Sequence, residues 1–230
     1  MSIAKELPTE AAKILRTIRK DYTVAFEPFR TRDVELQLLM VQDLESVLKG
    51  RDPFKNVSEF PFWVKLWEAA MVLADVAATL PSTTGPRLLE LGAGLGAPGL
   101  VAAAKGFRVT LSDYEERILN FQRVSAAANR LQVECRFIDW TKPPAMEPFD
   151  TIFGAEILFR EELLAPLLTL FDRLLAPGGT IYLCHDHRRK TLYSFLDKAQ
   201  ATYTIRAKKI DLNAGDDSCS VMLNCLQRKG

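Results

Sequence analysis

One stretch constrains this chain more than any other: Arg87-Leu88-Leu89-Glu90-Leu91-Gly92-Ala93-Gly94-Leu95-Gly96-Ala97-Pro98. An apolar run of strand length meets three alternating glycines, and a proline then opens a second apolar run. Arg87–Leu91 reads as a strand, Gly92–Gly96 as a loop, and Pro98–Lys105 as a helix with proline pre-set for its first position. Glycine permits tight turning and lets a ligand approach the backbone. Three spaced glycines exceed what a plain strand-to-helix turn requires. In an open parallel sheet, ligands sit outside the carboxyl ends of the strands, where this loop falls.

The rest of the chain supplies that sheet. Arg108–Ser112 reads as a strand ending at Asp113, and Glu115–Arg130 as a helix. Val133–Ile138 is a strand ending at Asp139-Trp140, and Asp150–Ala155 another. Glu161–Leu175 is a helix stopped by Pro177-Gly178-Gly179. Thr180–Cys184 is a strand and Arg188–Ala199 a helix. Tyr203–Leu212 and Cys219–Leu226 form an antiparallel pair around the polar turn Asn213–Ser218. The class is α/β: a Rossmann-like doubly wound sheet of seven strands with an antiparallel C-terminal hairpin. Upstream lies an N-terminal helix/strand extension. Thr9 caps a helix over 10–20, Tyr22–Phe26 and Val34–Val41 make a hairpin around Pro28, and Asp43–Leu48 is a turn or short helix. Phe54–Trp67 is aromatic and irregular, and Glu68–Leu80 is a helix stopped by Pro81.

With 230 residues, 48% hydrophobic and 26% charged, the chain supports one sizeable core, which excludes global disorder. Thirty basic and twenty-nine acidic residues leave a formal charge of +1, so charge implies neither a broad nucleic-acid surface nor a membrane one. No apolar run reaches the ~18 residues of a membrane span. The start, MSIAKELPTE, lacks the apolar core of a secretory signal. Four scattered cysteines favour a reduced, cytoplasmic protein without a disulfide framework or zinc site.

Two ligand classes compete for the loop. Gly92, Gly94 and Ala97 formally meet the dinucleotide pattern G-x-G-x-x-G/A, and Asp113 lies where a ribose-binding acid belongs. S-adenosylmethionine also carries a ribose with two free hydroxyls. Three features favour it. Glu90, at the strand's end, can face a cationic amino acid moiety and would oppose a pyrophosphate. Asp139 and Trp140 suit an adenine amino group and its ring. The chain also has no length for the separate substrate domain common in dehydrogenases.

These residues resemble a class I S-adenosylmethionine-dependent methyltransferase over roughly 60–228: Glu90–Gly96 as its first motif, Asp113 as its ribose acid, Asp139 as its adenine-side acid, and the hairpin as its reversed seventh strand. A narrower resemblance is to the methyltransferase family 16 protein-lysine methyltransferases. It rests on Pro61-Phe62-Trp63-Val64-Lys65-Leu66-Trp67, Ile138-Asp139-Trp140 and Gly154-Ala155-Glu156-Ile157-Leu158-Phe159. The resemblance implies residues 1–60 as an extension packing on a methyltransferase domain of 61–230. It also implies cofactor contacts from Trp67, Glu90, Gly92, Ala93, Gly94, Gly96, Asp113, Tyr114, Asp139, Trp140 and Ala155. Glu156 and Phe159 are placed where the methyl acceptor enters, as the catalytic pair. The family's commoner pair is Asp with Tyr, so a hydroxyl's role does not transfer to Phe159, and of its asparagine pair only Asn129 is present. The implied partner is a protein substrate and the favoured state a monomer.

Several residues carry competing readings. Trp63 and Phe159 can wall an apolar acceptor channel. His185 and His187 flank Asp186, but a bare H-D-H lacks a third metal ligand, and no metal is expected. Cys219 and Cys225 share a strand face by parity and read as buried thiols. Arg188-Arg189-Lys190 is either a charged helix start or a contact for an acidic protein surface. RNA is disfavoured as acceptor, because 154–159 lacks the N-P-P-aromatic pattern suited to a base nitrogen. A small-molecule methyltransferase, a non-catalytic cofactor-binding module and a dehydrogenase are the alternatives.

Overall fold

The structure, a computed structural model, describes residues 4, 6–48, 61–82, 85–214 and 217–230. Residues 54–60 of the irregular aromatic segment, and 215–216 of the last turn, lie outside them.

The central sheet starts from β3 (Arg87–Leu91), in which Leu88, Leu89 and Leu91 are all fully buried. A continuous apolar run suits a strand covered on both faces. Successive side chains alternate between two cores. Leu88 packs with α3 (Glu68–Thr79) and α4 (Ala97–Ala104); Leu89 and Leu91 pack with α6 (Leu164–Leu174) and α7 (Lys190–Ala199). The other strands are β4 (Arg108–Asp113), β5 (Val133–Phe137), β6 (Phe149–Ala155), β7 (Leu175–Asp186), β8 (Tyr203–Ala214) and β9 (Asp217–Arg228). Their order is β5-β4-β3-β6-β7-β9-β8. Every pairing from β5 across to β7 is parallel, and β9 runs antiparallel to both β7 and β8. The sheet is the seven-stranded, doubly wound one expected. The order reverses between β3 and β6, which places a switch point beside the glycine loop.

Three local expectations change. The triplet Pro177-Gly178-Gly179 does not separate helix from strand: α6 ends at Leu174, Leu175 already pairs with Phe149, and the next pair is Thr151 with Thr180. The triplet bulges out of a longer strand, with Gly178 at φ +75°. The first hairpin does not turn at Pro28. β1 (Val24–Thr31) runs through it, Pro28 opposite Gln37 of β2 (Val34–Val41), and the reversal falls at Arg32-Asp33. A strand at the edge of a two-stranded sheet tolerates a missing N–H. Thr9 is the first residue of α1 (Thr9–Asp21), with Pro8 before it and no side-chain cap, and the short helix after β2 is α2 (Leu44–Leu48).

The N-terminal elements cover the α3/α4/α5 side, α5 being Glu116–Ala128. Leu15, Ile18 and Leu39 pack with Trp63, Ile118 and Phe121. β2 docks on α5 by backbone: Asn129 accepts from Gln37 N–H and donates to its carbonyl, both at 2.8 Å, and Ser125 accepts from Leu39 N–H at 2.9 Å. Asn129 thus replaces a neighbouring strand. The hairpin turn is pinned by Arg32 on Asp75 of α3 and by Lys105 on Asp33. Among the described residues no helix is long and apolar enough to cross a membrane.

Candidate active site

The glycine loop is held by the end of the neighbouring strand. Ser112 C=O accepts from Ala93 N–H and Ser112 Oγ donates to Glu90 C=O, each at 2.9 Å. Asp113 Oδ2 accepts from Gly94 N–H at 2.9 Å and Oδ1 from Tyr114 N–H at 2.8 Å. Gly92, Gly94 and Gly96 all have positive φ (+58°, +53° and +75°), a backbone that L side chains rarely adopt. Burial raises the Asp113 carboxyl to about 6 against the pull of its two N–H donors, so it is ionised at neutral pH.

Glu90 lies differently from expectation. Its side chain faces the start of α4, where Oε2 accepts from Gly99 N–H at 2.7 Å, and it is 1% exposed. Burial raises its carboxyl to about 8. Glu90 therefore satisfies a donor of the first helical turn, which has no partner within its own helix. It is largely neutral at pH 7. The charge that opposes a pyrophosphate here is that of Asp113.

The loop meets two other predicted segments. A Cβ on Gly92 would stand 2.9 Å from Ile157 Cγ2 and 3.7 Å from the Trp140 ring. The loop after β3, the end of β5 and the turn after β6 thus converge on one glycine, at the carboxyl ends of the parallel strands. Trp140 is half-buried against the Leu89/Leu91/Ile157 core. Asp139, before it, is tied to its own turn: Oδ1 accepts from Thr141 N–H at 2.9 Å and Thr141 Oγ1 at 2.7 Å, which hold its carboxyl below the usual range. Tyr114 follows Asp113 and is exposed. Ala93 is buried, and Ala155 closes β6 opposite Cys184.

The aromatic segment divides its labour. Trp63 stands against Gly94, and its ring packs with Tyr22 and Phe121, so it lies under the loop instead of walling an acceptor channel. Trp67 opens α3; its indole N–H donates to Phe62 C=O at 2.6 Å and Lys65 Nζ lies 4.7 Å from its ring centre. Gln122, unremarked in the sequence, donates to Gly94 C=O at 2.9 Å. Trp63 Nε1 and Gln122 Oε1 are buried without a partner among the described residues. An ionised acid at the next strand end, a half-buried indole against the loop, and the unpartnered amide oxygen of Gln122, whose nitrogen holds Gly94, fit a nucleoside with a polar tail.

The turn after β6 is the most heavily tied. Glu156 has φ +52°, unusual for a residue with a side chain, at a cost of about 1–3 kcal/mol. Its N–H donates to Cys184 C=O at 2.9 Å. His185 Nε2 accepts from both Ile157 N–H and Leu158 N–H, at 3.1 and 3.2 Å, and Thr191 Oγ1 donates to Leu158 C=O. Two donors on one ring nitrogen require His185 to be neutral, and burial, then Arg189, push it down to about 3. Glu156 is also paired: Oε1 accepts from Asp186 N–H at 2.6 Å, and Oε2 from Arg189 Nε and Nη2 at 2.9 and 2.5 Å. Phe159 is 47% exposed beneath the Arg160 guanidinium.

Contacts also describe the other motif residues. Arg188 pairs with Asp186 and Arg189 with Glu156, so those two arginines are engaged within the chain. Cys219 and Cys225 are half-buried, not buried; Cys184 is the fully enclosed thiol. The strand parity was right, but their face is only partly covered. Among the described residues no three potential ligands group as a metal site. A groove of about 1370 Å³ lies at the amino ends of β4 and β5, lined by Arg108, Arg123, Arg130 and Glu134 among others, and shares no residue with the loop.

A sheet of this order, with its glycine loop tied to an acid at the second strand end, defines a class I S-adenosylmethionine-dependent methyltransferase. The chain belongs to the lysine methyltransferase family, whose profile matches residues 61–202. Among relatives, it is 31% identical over 157 residues to the protein N-lysine methyltransferase METTL21A of Xenopus tropicalis, covering 64% of this chain and 72% of that one. It is 34% identical over 128 residues to the histone-arginine methyltransferase METTL23 of Mus musculus, covering 51% and 49%. The N-methyltransferase NodS of Bradyrhizobium japonicum, solved with S-adenosyl-L-homocysteine, shares the fold: TM-score 0.58 at 19% identity, over 82% of this chain and 98% of that one.

Proposed function

We propose that the chain methylates a lysine side-chain amine of a protein, with the cofactor over residues 92–96 and the acceptor entering beside Glu156 and Phe159. The observation that carries this is the contact of Ile157 with the glycine loop, by which the 156–159 turn adjoins residues 92–96. Asp113 would hold the ribose hydroxyls, Trp140 and Asp139 the adenine side, and the loop backbone the rest. Glu90 organises the loop from below. We also propose a cytoplasmic, monomeric protein, in keeping with four cysteines that are all free.

When bound, S-adenosylmethionine would supply a methyl group on a cationic sulfur, which would leave as a neutral thioether, its carbon–sulfur bond breaking as the carbon–nitrogen bond forms. The protein's tasks are alignment and delivery of a neutral amine. A lysine near pKa ~10.4 is roughly a thousandfold more ammonium than amine at pH 7.4. Phe159 offers an apolar wall that disfavours the ammonium form. Glu156 offers an oxygen that orients the amine, and the proton released from nitrogen passes to water.

The test uses labelled cofactor with the proteome of cells lacking the chain. Wild type should label protein at lysine, read by mass spectrometry, and Glu156→Ala should cut the rate at least a hundredfold with S-adenosylhomocysteine affinity within threefold. Label confined to arginine, or to the small-molecule fraction, would overturn the lysine assignment. Full activity of Glu156→Ala would remove the acceptor-side one.

A further inference from the structure

A bare carboxylate beside the acceptor nitrogen would defeat the reaction just described. An opposite charge within hydrogen-bonding distance stabilises a lysine as ammonium, which has no lone pair to attack with. The structure supplies Glu156 with an internal counter-ion. Arg189 donates twice to Oε2, and the Asp186 N–H donates to Oε1. Oε1 keeps a free lone pair on a side chain 19% exposed, while Arg189 is 32% exposed. The site therefore stands at the edge of solvent, where an acceptor can reach it.

The remaining charges around Glu156 are also balanced. Asp186 is gripped by Arg188, through Nε at 3.0 Å and Nη2 at 2.6 Å. His185, behind the turn, is buried and neutral. The thiols of Cys184 and Cys219 both have raised pKa values, burial being the main cause, and stay protonated. Arg189 is the residue before α7, and its own N–H is fixed on Asp186 C=O at 3.1 Å. Its planar fork makes a two-point contact that a point charge cannot copy.

We infer that Arg189 is a positioning residue for the methyl acceptor: by neutralising Glu156 it converts the carboxylate from a trap for ammonium into a hydrogen-bond acceptor for the free amine. The inference rests on the acceptor-side reading of Glu156 given above. It gives the middle residue of the Arg188-Arg189-Lys190 run a task in the reaction.

The experiment compares wild type, R189M, R189K, E156Q and R189M/E156Q. Initial rates of label transfer to the same proteome are measured from pH 6.5 to 9.5, with S-adenosylhomocysteine calorimetry on each variant to establish an intact cofactor site. R189M should lose at least tenfold of the rate at pH 7 and recover most of it by pH 9, moving the profile up by one unit or more. R189K should keep the wild-type profile at a lower rate. R189M/E156Q should return to the profile of E156Q, since no charge is left to compensate. As a second measurement, n-butylammonium should bind the S-adenosylhomocysteine-loaded R189M protein at least fivefold more tightly at pH 7 than it binds wild type. A rate reduced equally at every pH, or no gain in n-butylammonium affinity, overturns the role of Arg189. Full activity of Glu156→Ala, assayed alongside these variants, overturns instead the reading of Glu156 on which it rests.

Discussion

The glycine loop and the turn after β6 meet at Gly92 and Ile157 and both carry left-handed backbone, yet they achieve it in opposite ways. In the loop, all three positive-φ positions are glycines, so the conformation costs little and a few bonds from Ser112 and Asp113 suffice. In the turn, the positive-φ residue is Glu156, and the chain holds it with bonds from Cys184, His185, Asp186, Arg189 and Thr191. The first is a local device and the second a tertiary one. The loop turns without side chains to place, whereas Glu156 keeps its side chain because distant partners hold the backbone around it.

That contrast can be broken most directly at Gly92. A Gly92→Val side chain would meet Ile157 and Trp140 at φ +58°, so S-adenosylhomocysteine affinity should fall more than a hundredfold by calorimetry with far-ultraviolet circular dichroism unchanged. Retention of binding within threefold would mean that the cradle lies elsewhere.

The tertiary half is probed at His185. His185→Leu leaves two buried N–H groups unpaired, at about 1–3 kcal/mol each. Label transfer should drop at least tenfold, and amide exchange at Ile157 and Leu158 should speed up, while S-adenosylhomocysteine still binds. His185→Gln, whose Oε1 can take the place of Nε2, should recover much of both. Unchanged exchange in His185→Leu would show that the turn holds itself.

Glu90 gives a smaller effect with a definite sign. Its carboxyl is raised to about 8 in the folded chain, against ~4.3 for an ordinary glutamate. The folded state thus binds the proton more tightly, and the resulting stabilisation is complete below about pH 4 and lost as pH rises through about 8. Glu90→Gln keeps an acceptor for Gly99 N–H and cannot ionise. Its Tm relative to wild type should rise by a few degrees between pH 5 and pH 9; a constant difference would mean that Glu90 is not buried as a neutral acid. Smallest is Asn129→Ala, which frees both backbone groups of Gln37. It should cost about 1–3 kcal/mol by urea unfolding and leave cofactor affinity untouched.

Legibility in the sequence followed the same division. The β3 run, the glycines and the acids at strand ends stand out because their chemistry is written within a few consecutive residues. Pro28 and the 177–179 triplet misled as turn signals because a lone edge strand and a wide bulge tolerate them, which depends on what lies opposite. Asn129 was visible only as half of a missing pair. Its work on Gln37 spans 92 positions and leaves no local trace.

By itself the sequence determined the alternation of strand and helix, the glycine loop and the acid beside it, since apolar period and glycine spacing act over short distances. Only the tertiary structure decided where Glu90 points, that Trp63 belongs to the core, that His185 must be neutral, and that Glu156 arrives already paired with Arg189. Each of those depends on burial and on partners brought together from distant parts of the chain. A carboxylate's charge and direction are properties of its surroundings, and folding is what supplies them.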